Sequence, residues 1–77
     1  MKKLKNINSL IGYKLRIARE QNELKQKDVA KQVNFSAGHL SYIESGKRQA
    51  PISLLVLLTK IYKQDPVVFL KDIVDNI

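Results

Sequence analysis

Six residues in the middle of the chain, Ala37, Gly38, His39, Ser41, Tyr42 and Ser45, are spaced so that a helix turning Leu40 and Ile43 inward leaves all six with no core to pack against. Their chemistry is recognition, not bond making. Ala37 can touch a thymine methyl, Gly38 lets backbone approach base edges, and His39 or Tyr42 can donate to guanine or thymine acceptors in a major groove. A glycine inside a helix costs about 1 kcal/mol relative to alanine. Its presence at 38 fits close approach to DNA, with drift in a short helix as the competing account. Two small residues among five candidate base readers imply sparse direct readout, with part of the specificity read from DNA shape. His39 is the only histidine and the chain has no cysteine, so a metal centre has no ligand set. Ser36, His39 and Ser41 lie close in sequence, but no acid orients the imidazole as a hydrolytic triad requires. No enzymatic activity, metal or cofactor is expected.

The stretch Gln26 to Ser45, QKDVAKQVNFSAGHLSYIES, supplies the elements that position those residues. Val29, Ala30 and Val33 form the inner face of one short helix, and Leu40 and Ile43 that of the next. Asn34 suits the left-handed conformation that ends a helix, and Ser36 suits the cap of the following one. Small Ala30 permits a close crossing, and Phe35 plugs the turn. Around this pair the pattern predicts a first helix from about Ser9 to Gln21, with Ile11, Leu15 and Ala18 inward. A C-cap is expected at Gly46, followed by a basic loop to Ala50. Pro51 in the first turn opens a fourth helix reaching about Tyr62, and Asp65 with Pro66 opens a fifth reaching about Val74. The expectation is an all-α, five-helix domain over 9–77, preceded by a basic arm at 1–8.

Size and charge frame this reading. At 77 residues the chain holds one small core that is marginal alone, which argues for a dimer. Residues 1–50 carry eleven Lys/Arg against four Asp/Glu, whereas 51–77 carry three of each. The whole net charge of +7 therefore lies beside the recognition unit, the footprint of a polyanion binder. Lys2, Lys3 and Lys5 are not followed by an apolar run of signal-peptide length, and nothing approaches a membrane span. The expected location is the cytoplasm, with no membrane partner.

Residues from about Ile11 to Leu70 resemble the Cro/C1-type (XRE) helix-turn-helix family. The resemblance rests on Arg19, Gln26, Ala30, Leu40, Ile43, Glu44 and the loop SGKR together. It implies a five-helix, lambda-repressor-like fold with the helix-turn-helix at helices 2 and 3. The chain length and the ending VVFLKDIVDNI also resemble small controller proteins of restriction-modification systems and similar phage or plasmid regulators. Carried onto this sequence, the resemblance assigns phosphate contacts to Gln26, Ser36, Ser45, Lys47 and Arg48, with the dipole and free N–H groups of the second helix assisting Gln26. Base contacts fall to Ala37, Gly38, His39, Ser41 and Tyr42, and Arg19 with Glu44 forms a structural ion pair.

Apolar residues surround the fourth helix almost completely, and Leu70, Ile73, Val74 and Ile77 make a stripe on the fifth, so some of that surface needs a cover. Leu54, Leu57, Ile61, Phe69 and Ile73 are the expected dimer contacts. A C2 dimer through them would set two recognition helices about 34 Å apart to read a pseudo-palindromic operator on double-stranded DNA. The expectation is a homodimeric transcriptional regulator, with RNA polymerase or a toxin as a further partner left open. The rival is an antitoxin or other interaction module whose main ligand is a protein.

Overall fold

Five α-helices follow one another, with no strand among the described residues: α1 (Ile7–Gln21), α2 (Gln26–Gln32), α3 (Ala37–Ser45), α4 (Ile52–Ile61) and α5 (Pro66–Asp75). The computed structural model describes residues 6–77. Most of the basic arm expected at 1–8 lies outside them, and Ile7 and Asn8 are already helical. Asn6 starts α1 before the expected Ser9, because its side chain accepts from the Asn8 amide at 2.9 Å and so caps the helix earlier. Ser36 caps α3 by accepting from the His39 amide at 3.0 Å. Asp65 caps α5 by accepting from the Val67 amide at 2.8 Å, with Pro66 as the first helical residue. Pro51 stands one place earlier than expected, at the cap of α4 and not in its first turn.

The first four helices end alike, on a left-handed residue just past the last turn: Glu23, Asn34, Gly46 and Lys63, with φ of 56°, 62°, 84° and 59°. In each case the next amide reaches back to a carbonyl inside the helix, as when Phe35 donates to Ala30 at 2.9 Å and Lys47 to Tyr42 at 2.9 Å. Gly46 is doubly constrained, since a Cβ there would also run into Ser9.

The core gathers Leu15, Val29, Leu40 and Ile43 from α1 to α3, closed by Leu54, Leu58, Tyr62, Phe69 and Ile73. α1 lies against α3 at Gly12, where a Cβ would collide with the carbonyls of Ile43 and Glu44. The Asn22 amide ties α1 to α4, donating to the carbonyls of Ala18 at 2.8 Å and Tyr62 at 2.9 Å. A Lys14–Asp72 ion pair ties α1 to α5.

This closure bears on the expected dimer contacts. Leu54, Phe69 and Ile73 are buried in the subunit's own core, and Ile61 is half-buried against it. The helices α1 to α3 cannot cover their own apolar faces, so the largest inward side chains of α4 and α5 are spent inside the subunit. Only Leu57 of the five is exposed. The stripe expected on α5 divides accordingly, with Ile73 inward and Leu70, Val74 and Ile77 outward beside Val67.

Candidate nucleic-acid interface

α3 is held from behind by Leu40 and Ile43, both essentially inaccessible to solvent. Its outer face carries Gly38, Ser41, Tyr42 and Ser45 exposed, with Ala37 and His39 half-buried. The His39 ring packs edge-on against Phe35, their centroids 4.7 Å apart, so the turn residue that plugs the core also steadies the imidazole. Nothing lies within 4 Å of where a Gly38 Cβ would stand. The fold therefore does not require glycine at that position.

Five of the ten residues expected to touch DNA, namely Ser36, Gly38, His39, Tyr42 and Arg48, line one open cleft of about 310 Å³. Ala37, Ser41, Ser45, Lys47 and Gln26 lie outside it. The Tyr42 carbonyl organises the loop that follows: it accepts from the Lys47 amide at 2.9 Å, the Arg48 amide at 3.2 Å and the Ser45 hydroxyl at 3.1 Å. That acceptor fixes where the exposed Lys47 and Arg48 leave the helix end. Lys47 Nζ sits 6.0 Å from the centre of the Tyr42 ring, which draws a cation toward the same face. The Ser45 proton is occupied by this carbonyl, and the Ser36 oxygen by the His39 amide, so both serine side chains already have work within α3.

Behind the face stands a buried ion pair. The Glu44 side chain is 3% exposed and accepts from Arg19 Nε at 2.7 Å and Nη2 at 3.1 Å. That hydrogen bond holds the Arg19 guanidinium above its ordinary pKa, against the opposing effect of burial. Gln26 is half-buried, and its Nε2 donates to Glu44 Oε1 at 2.9 Å. Burial, with Glu44 nearby, pushes the Tyr62 phenol well above its usual range. Neither the Gly12 crossing nor the Gln26–Glu44 bond was legible in the sequence. Both join residues on different helices, and nothing in their local spacing announces them.

Among the described residues no cluster of His, Asp or Glu could hold a metal ion, and no helix is long and apolar enough to cross a membrane. A family model described as a helix-turn-helix domain matches residues 10–69, which span α2, α3 and their supporting helices. No curated protein and no solved structure matches the chain.

Proposed function

Because the chain belongs to the helix-turn-helix domain family, within the XRE/Cro-like group, we propose that it is a cytoplasmic transcriptional regulator binding a pseudo-palindromic operator as a homodimer. The observation that carries this reading is the outer face of α3. It gathers Gly38, His39 and Tyr42 with Arg48 around one cleft, on a helix whose opposite face is wholly committed to the core. His39 and Tyr42 read bases, Ala37 and Gly38 admit close approach, and Lys47 and Arg48 clamp the flanking phosphates. No sequence feature calls for a catalytic role.

The dimer contact moves to side chains that the subunit leaves exposed. Leu57 stays in the proposed interface and is joined by Val67, Leu70, Val74 and Ile77, which follow the i, i+3, i+7, i+10 spacing of one helix face. The same face favours the second reading, a module whose main ligand is another protein. Sedimentation of the purified protein, alone and with DNA from upstream of its own gene, separates the two. A dimer that binds this DNA more tightly than an arbitrary duplex supports the regulator. A monomer that gains no mass with either DNA overturns it.

A further inference from the structure

The Glu44 carboxylate collects hydrogen bonds from two other helices, two from Arg19 and one from Gln26. The remaining arm of Arg19, Nη1, donates at 2.7 Å to the carbonyl of Leu24, in the turn that leads to Gln26. The supposed structural pair and the supposed phosphate contact are therefore one network. An ionised carboxylate only accepts, so it admits the NH₂ edge of the Gln26 amide and repels its oxygen. One of the two amide hydrogens is used at Glu44 and the other remains. No side chain caps the start of α2, so the Gln26 amide oxygen is not taken up by the N–H groups of its own helix.

Building on the DNA-binding reading, we propose that Glu44 is a positioning residue for DNA: it orients the Gln26 side chain so that the second amide hydrogen is presented to a backbone phosphate. A phosphate, like a carboxylate, only accepts. The amide thus bridges two anions, one buried in the protein and one on the nucleic acid. The conformational freedom that an unheld glutamine would lose on binding is already given up in the folded protein.

A phosphate contact is independent of sequence, so the probe is a 20-base-pair duplex of arbitrary sequence at low salt. Gln26→Ala should weaken binding about tenfold, the worth of one hydrogen bond to a charged group. The salt slope should stay unchanged, because no cation is removed. In a Glu44→Gln background the same Gln26→Ala change should cost less than about twofold, the signature of coupled sites. A full tenfold loss in that background overturns the proposal. So does wild-type affinity in Gln26→Ala while Lys47→Ala and Arg48→Ala weaken binding, an outcome that leaves the DNA-binding reading standing. If all three variants bind as wild type does, both readings fall. Should Glu44→Gln fail to fold, the Gln26 side-chain amide of the wild-type protein gives the answer by NMR. One proton should stay fixed while the other shifts as duplex is added, and movement of both or of neither overturns the proposal.

Discussion

α3 and α5 are nearly equal in length, at nine and ten residues, and each buries two large apolar side chains: Leu40 and Ile43 on the one, Phe69 and Ile73 on the other. Their outer faces differ in kind. α3 turns out Gly38, Ser41, Tyr42 and Ser45 and leads into Lys47 and Arg48, whereas α5 turns out Val67, Leu70 and Val74. The inner face of each helix states its place in the fold, and the outer face states what it meets next. Small and hydrogen-bonding groups beside fixed cations suit a wet, anionic groove. An exposed aliphatic row in the electrically neutral part of the chain suits another protein surface.

The sharpest way to break this comparison is to place one charge on each face of α5. Phe69→Asp should abolish folding, seen as loss of the helical circular dichroism signal. An unpaired buried carboxylate costs several kcal/mol, and a domain this small has few to spare. Val74→Asp, five residues on, should keep helicity and change stability by no more than about 0.5 kcal/mol, while sedimenting as a monomer. Equal behaviour of the two variants would erase the distinction between the faces.

On α3 the corresponding inner group is Glu44. Glu44→Ala leaves the Arg19 guanidinium, only 12% exposed, without its partner, and should lower the unfolding free energy by about 3–5 kcal/mol in a urea titration. Ser41→Ala, on the outer face of the same helix, should be silent in that assay.

How far these faces could be read from sequence differs along the chain. The turn between α2 and α3 and the end of α3 were legible in detail, because Asn34, Ser36 and Gly46 act through backbone conformations and caps that each residue type specifies locally. The inner face of α3 was legible because Leu40 and Ile43 are the only large aliphatics on it. α4 and α5 were not, since most positions are apolar and extend beyond one face, so that periodicity alone does not say which side faces inward. The two helical glycines teach the same lesson. Gly12 is required by the α1–α3 crossing and Gly38 by nothing in the fold, yet only packing tells them apart.

Lys47 and Arg48 sharpen the comparison from the outer side. Lys47→Ala and Arg48→Ala should each weaken specific and arbitrary duplexes alike and flatten the slope of log affinity against log salt by about 0.9. Loss of sequence preference with an unchanged slope would reassign those side chains to base reading.

The inner faces hold one polar atom at odds with its surroundings. Among the described residues the Tyr62 hydroxyl is buried without a hydrogen-bond partner, and burial raises its pKa above the ordinary 10.0. The folded state therefore keeps its proton after the unfolded chain has lost it, so this contribution is fully present below about pH 10 and is lost as the pH rises further, at up to about 1.4 kcal/mol per pH unit. Tyr62→Phe should be neutral or slightly stabilising at pH 7 and should flatten this alkaline decline in thermal denaturation. An unchanged alkaline profile would mean that the phenol titrates alike in both states.

The smallest expected effect is also the one that separates the demands of the fold from those of DNA at a single atom. Gly38 is exposed on α3, and a Cβ there would meet nothing within 4 Å. Gly38→Ala therefore adds no clash and gains helix propensity, which should raise stability by about 1 kcal/mol. If the outer face were only solvated surface, the substitution would be an improvement with no other consequence. If the face enters a groove, the added methyl stands between backbone and base edges, and affinity for the specific site should fall even as the protein becomes harder to unfold. Melting temperature and operator affinity measured on the same preparation would move in opposite directions. Movement of both upward would show that Gly38 has no role in base approach and would shift the reading of bases onto His39 and Tyr42.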